Sequence, residues 1–212
     1  MKKIGLYFGT FNPIHKGHLA LGNYFAENTD LDQVWFVVSP QNPFKVNDLL
    51  LEDRHRLEMA HLAVIDQPHL KVSDVEFSIP KPSYTIHTLE HLFQIHPEKQ
   101  FILLMGQDNL NHFNQWKQYE KILALLTIYV YPRNEKIVTK QKLQHKKIKM
   151  MDAPQLDYAS TAIRKILKQG KSVEELMPYA SWLYLKEKGL YNKFLFLKYF
   201  LYQSFCQAFS TP

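Results

Sequence analysis

Ile4-Gly5-Leu6-Tyr7-Phe8, running into Gly9-Thr10-Phe11-Asn12-Pro13-Ile14-His15-Lys16-Gly17-His18, is the stretch that decides how this chain folds. The first five residues are a short, nearly continuous apolar run, the pattern of a strand buried on both faces of a parallel sheet. From Gly17 to Asn28 the apolar positions take on helical spacing. Ligands of open α/β sheets bind at the carboxyl ends of strands, and helix N-termini attract anions through unpaired N–H groups and the dipole. Gly9 and Gly17 allow close backbone approach, and Pro13 stiffens the loop between them. His15 and His18, three residues apart, project to one side of such a turn. Taken singly, either histidine reads as a helix cap. Taken together with the glycines and the proline, they are imidazole donors set beside a phosphate, able to stabilise charge developing on its oxygens.

Working outward, the same alternation continues. Val34 to Val38, Phe101 to Met105 and Thr127 to Tyr131 read as buried strands, Leu70 to Phe77 as a further strand, and Lys147 to Met151 as a weaker one. Helical patterns cover Glu52 to Ile65, Thr85 to Ile95 and Asn111 to Leu126. This predicts an α/β fold, a doubly wound (Rossmann-like) parallel sheet with helices on both faces. Small C-terminal helices follow: Ser160 is placed as an N-cap and Gly170 as a C′ glycine. Ser172 and Glu175 are placed as a capping box, with Pro178 in the first turn of a last helix that stops at Gly189. The lysine-rich stretch 134–149 reads as a solvated loop.

The chain has 212 residues, enough for one α/β domain over 1–191 with an apolar tail, 192–212, that is helical and packs on the domain or on a partner. The tail is too short and too broken by Lys198 to span a bilayer. A formal charge of +6 draws anionic partners without choosing among nucleotide, nucleic acid and membrane surface. Cys206 is the single cysteine, which excludes an internal disulfide and a CxxC zinc site. Met1-Lys2-Lys3-Ile4 enters a strand-like segment rather than a signal region, so the expected setting is cytoplasmic.

A second constellation, Tyr158-Ala159-Ser160-Thr161-Ala162-Ile163-Arg164, again opens a helix, with two hydroxyls and a fork-shaped cationic donor one turn in. The first motif resembles the GxFxPxHxGH signature of the nucleotidyltransferase superfamily, and the second resembles its SSTxIR motif with alanine in place of the first serine. Between them Ser39-Pro40-Gln41-Asn42-Pro43-Phe44-Lys45, Arg56-Leu57-Glu58-Met59, Ser83-Tyr84-Thr85-Ile86-His87-Thr88-Leu89 and Met105-Gly106-Gln107-Asp108 followed by Trp116 fall in order. Over residues 4–191 the chain resembles bacterial nicotinate mononucleotide adenylyltransferase. It departs from that pattern at Phe44, where a histidine is common, and at Gln107, where a small residue is.

That resemblance implies transfer of AMP from ATP to nicotinate mononucleotide, with magnesium bridging ATP phosphate oxygens and keeping its waters. It implies His15, His18, Lys45 and Arg164 as catalytic residues. Gly9, Thr10, Phe11, Gly106, Asp108, Arg133, Ser160 and Thr161 join both histidines and Arg164 around ATP. Asn12, Lys45, Thr85, Asp108 and Trp116 take the mononucleotide, Thr85 and amides near Trp116 receiving the nicotinate carboxylate while the indole stacks on the pyridine. No nucleic acid or resident protein-held metal is expected, and a homo-oligomer is allowed.

Three other readings remain open on the sequence. His87-Thr88-Leu89-Glu90-His91 spells H-x-x-E-H, a zinc peptidase pattern, for which metal analysis is the test. Another acceptor, nicotinamide mononucleotide or phosphopantetheine, would use the same phosphate motifs. The chain would also serve as a nucleotide-binding module without catalysis. A dehydrogenase is disfavoured, because no G-x-G-x-x-G follows the first strand.

Overall fold

β1 (Lys2–Gly9) is the strand that the opening motif leaves, and it lies at the centre of the sheet. The computed structural model describes residues 1–40, 50–133 and 145–191. Within them β1, β2 (Gln33–Val38), β3 (Leu70–Ser73), β4 (Lys99–Gly106), β5 (Thr127–Tyr131) and β6 (Ile148–Met150) form one parallel sheet in the order β3-β2-β1-β4-β5-β6. Side chains alternate between two cores, as the pleat requires. Phe101, Leu103 and Met105 of β4 enter one, and Ile102 and Leu104 the other. Helices α1 (Lys16–Asn28), α2 (Asp53–Val64), α6 (Ser160–Lys168) and α7 (Tyr179–Glu187) cover the Ile102 face. Helices α3 (Thr85–Ile95), α4 (Gln107–Asn111) and α5 (Tyr119–Leu125) cover the other. This is the expected doubly wound sheet.

Strand order reverses between β1 and β4, which pair from Lys2↔Lys99 to Tyr7↔Leu104. The connections leaving these two strands diverge, and a crevice opens above their carboxyl ends. The first motif lies there.

Several local expectations are corrected. The strand over 70–77 stops at Ser73, because the Ser73 hydroxyl accepts from Val75 N–H (3.3 Å) and the Asp74 carbonyl from Phe77 N–H (2.8 Å). These local bonds turn Val75–Ser78 into a 3-10 turn instead of ladder. The helix over 111–126 is broken: α4 ends at Asn111, a 3-10 turn covers Phe113–Gln115, and Gln118 at φ 53° lies in the left-handed region, through which no α-helix runs. Ser160 is not the N-cap of α6. Ala159 holds that place, and the Ser160 hydroxyl instead donates to the Pro13 carbonyl (2.9 Å). Ser172 does accept from Glu174 N–H (3.3 Å), but the 3-10 turn Glu174–Leu176 carries no capping side chain, so the capping box does not form. Pro178 is the cap of α7 rather than part of its first turn. Gly170, at φ +74°, ends α6 as expected, a conformation that only glycine adopts at no cost. Among the described residues no helix is long and apolar enough to cross a membrane. Lys45, residues 134–144 of the lysine-rich stretch and the 192–212 tail lie outside the described residues.

Candidate active site

Where β1 ends, the chain turns through Phe11, whose φ of 43° is held by burial of its ring against Tyr7, Phe36 and His18, the last at 5.0 Å. Phe11 therefore props His18 from the core side rather than lining a cleft. His15 occupies the N-cap of α1. The backbone N–H of His15 donates to Nδ1 of His18 (3.1 Å), and that of His18 to Nδ1 of His15 (3.3 Å). The two rings stack at 3.6 Å. This is a capping box in which both partners are histidines. Within this box each Nδ1 accepts, so each ring carries its proton on Nε2. Burial, helped by the Arg133 charge, lowers His15 to about 4, which makes it a neutral donor at pH 7.

The second motif reaches this turn directly. Arg164 Nη1 donates to the Asn12 carbonyl (2.8 Å), beside the Ser160 bond to Pro13. Tyr158 stacks on His15 at 5.9 Å, and a Cβ on Gly17 would come within 2.6 Å of Tyr158 Cβ. Gly17 is the residue that lets the two motifs close on each other. Thr161 is exposed one position further along α6.

Two clefts open on opposite sides of this junction. The first, about 420 Å³, is lined by Tyr7, His15, His18, Asp108, Arg133 and the segment 154–159. Arg133 Nη1 donates to Asp108 Oδ2 (3.1 Å), while Asp108 Oδ1 is buried with no partner among the described residues. The second cleft, about 410 Å³, is lined by Gly9, Glu76, Ser83, Thr85, Asn109 and Trp116, among others. Asp108 and Asn109, neighbours on α4, face one cleft each. Gly106 caps α4 between them, and a Cβ there would strike Asp108 Oδ1 at 2.2 Å. Thr85 is the first residue of α3, and Trp116 follows the 3-10 turn, half-buried against Phe113. The Trp116 amide is itself spent on the Phe113 carbonyl (3.0 Å).

Thus His15, His18, Asp108 and Arg133 come together in one cleft, with Ser160 and Arg164 behind the histidine turn. Gly9, Thr85 and Trp116 come together in the other, so Gly9 lies apart from the cleft of the histidines. Asn12 is buried beneath both motifs: its Oδ1 accepts from Leu51 N–H (3.3 Å) and from the Tyr191 hydroxyl.

The chain matches the Cytidylyltransferase-like family over residues 6–166. It is 50% identical over 192 residues to a probable nicotinate-nucleotide adenylyltransferase of Flavobacterium psychrophilum, a match covering 90% of this chain and 100% of that one. The chain belongs to the nicotinate-nucleotide adenylyltransferase family. A family member from Bacteroides thetaiotaomicron is 41% identical, over 87% of this chain and 91% of its own. The fold is also similar to that of Plasmodium falciparum nicotinic acid mononucleotide adenylyltransferase complexed with NaAD. There the TM-score is 0.74 at 19% identity, covering 90% of this chain and 98% of that one.

Arg56, in the Arg56-Leu57-Glu58-Met59 block, carries no task that its sequence context suggests. The structure supplies one. Arg56 is fully buried on α2, and its guanidinium donates to the carbonyls of Leu51 (2.9 Å), Thr10 (2.5 Å), Ser39 (2.8 Å) and Pro40 (3.2 Å), and to Asp53 Oδ1 (2.5 Å). One side chain therefore ties the end of β1, the end of β2 and the start of α2. The H-x-x-E-H pattern yields no metal site, since among the described residues no three His, Cys, Asp or Glu side chains gather to hold an ion.

Proposed function

We propose that the protein transfers AMP from ATP to nicotinate mononucleotide, releasing pyrophosphate and forming nicotinate adenine dinucleotide. The observation that carries this reading is the pair of clefts: one holds the stacked imidazoles, the other sets a helix N-terminus at Thr85 beside an indole. An eleven-residue helix such as α3 presents unpaired N–H groups and a positive dipole end, a place for a carboxylate. The Thr85 hydroxyl adds a donor, and Trp116 a face on which a pyridine stacks.

The nucleophile is the 5′-phosphate of the mononucleotide, largely dianionic at neutral pH because its second pKa is about 6. It needs no general base, and a neutral His15 is consistent with that. A phosphate oxygen bonds to the α-phosphorus of ATP as the bond from that phosphorus to the bridging oxygen breaks, and the electron pair leaves with pyrophosphate. His15 and His18 donate from Nε2 to phosphate oxygens as charge builds, Arg164 and Lys45 bind phosphates, and Asp108 accepts from a ribose hydroxyl. Magnesium brought in with ATP would offset the charge of the triphosphate. Asp108 and Asp157, the carboxylates lining the first cleft, are too few to replace its waters, which suits an ion brought in by the triphosphate. On this reading residues 1–191 carry the chemistry in the cytoplasm.

Phosphorus NMR of the reaction with ATP and nicotinate mononucleotide tests the roles. His18→Ala and His15→Ala should each lower kcat on the order of a hundredfold, as removal of one transition-state donor does. Wild-type turnover in both would overturn the mechanism.

A further inference from the structure

Two polar atoms beneath the Trp116 cleft have no hydrogen-bond partner among the described residues. Glu76, in the 3-10 turn after β3, is 1% exposed, and its Oε1 accepts from Thr88 Oγ1 at 2.7 Å. Its Oε2 and the hydroxyl of Ser83, both shielded from solvent, make no hydrogen bond among the described residues. Both residues line the cleft with Thr85 and Trp116. Thr88 lies one turn beyond Thr85 on α3, so this carboxyl sits directly behind the helix end assigned to the ligand carboxylate. A buried carboxyl with an unsatisfied oxygen is costly when charged and tolerable when it keeps its proton.

Burial pushes the Glu76 carboxyl above its ordinary range, while the hydrogen bond from Thr88 pulls the other way. The titratable and charged groups on the elements around it are His87, Glu90 and His91 of α3, Asp108 of α4, Lys117 and Arg56. Lys117 lies over the Tyr84 ring at 4.5 Å. Glu90 pairs with Lys121, Asp108 with Arg133 and Arg56 with Asp53.

We propose that Glu76, from beneath the cleft, selects between the acid and amide forms of the mononucleotide: uncharged, it tolerates a ligand carboxylate above it, and charged, it repels one. The proposal rests on the assignment of this cleft to the mononucleotide. Both forms share the pyridinium, the ribose and the phosphate, so only the ring substituent feels the difference. At an effective dielectric near 20, like charges within about 12 Å of each other change affinity on the order of tenfold or more. The amide carries no charge, so it loses nothing when the proton leaves.

The test is the ratio of kcat/KM for nicotinate over nicotinamide mononucleotide from about pH 5.5 to about pH 9, a span that reaches the documented range of buried glutamates. In the wild type the ratio should fall about tenfold as pH rises. Glu76→Gln keeps the size and an oxygen for Thr88 but has no charge to gain, and its ratio should stay flat. A flat wild-type ratio, or the same fall in Glu76→Gln, overturns the proposal. Failure of the underlying assignment looks different: Trp116→Ala would then leave KM for the mononucleotide unchanged. Because the wild-type profile needs no variant, misfolding of Glu76→Gln cannot hide the answer.

Discussion

Replacing Arg56 by methionine keeps much of its volume and removes its charge and all its donors. Five hydrogen bonds go, and the carbonyls of Leu51, Thr10, Ser39 and Pro40 lose a charged partner that sits in a fully buried place. Breaking a buried charged network of this kind costs about 3–5 kcal/mol. Counting two buried carbonyls left unsatisfied at about 1–3 kcal/mol each gives the same order. For a domain of this size each kcal/mol moves Tm by about 2–4 °C, so Arg56→Met should melt roughly 10 °C lower. Urea titration should show the midpoint falling with an unchanged slope. Because Thr10 belongs to the histidine turn, KM for ATP should rise as well. Arg56→Lys retains charge without the fork and should recover less than half of the lost stability. A methionine variant within about 1 kcal/mol of wild type would refute the clamp and leave its hydrogen bonds without energetic consequence.

The ring of His15 should titrate near 4 by NMR. Its folded value lies below the unfolded one, so the unfolded chain takes up a proton that the folded chain refuses between about pH 6.5 and 4. Stability should therefore fall as pH drops through that window, and His15→Ala should abolish that part of the slope. Gly17→Ala places a methyl 2.6 Å from Tyr158 Cβ, which should cost about 1–3 kcal/mol and lower turnover by parting the two motifs; unchanged turnover would contradict the close approach. Trp116→Ala should raise KM for the mononucleotide and leave KM for ATP nearly unchanged, as steady-state kinetics with each substrate varied would show.

The sheet was legible because β1, β2, β4 and β5 are buried on both faces, so their apolar runs are continuous. The histidine turn was legible because its chemistry is written in adjacent residues. What escaped was set by contacts distant in sequence. The Ser160 hydroxyl looked like a cap and instead crosses to Pro13, 147 positions away. Trp116 looked like part of one long helix until Gln118 took a left-handed conformation that composition does not announce. Arg56 and Glu76 gave no local sign, since a charged residue on an amphipathic helix or at a strand end is ordinarily solvated. Only burial reveals that one holds the carbonyls of the motif loop and that the other stands behind the second cleft.

What this protein does turns on its acceptor. Pyrophosphate release from ATP should be measured side by side with nicotinate mononucleotide, nicotinamide mononucleotide and phosphopantetheine. The nicotinate form should give the highest kcat/KM, exceeding the amide by roughly ten- to hundredfold, because an amide turns donors toward N–H groups that cannot accept. Equal rates with the two mononucleotides, turnover with phosphopantetheine instead, or no release with any of the three would rule out nicotinate mononucleotide as the preferred acceptor.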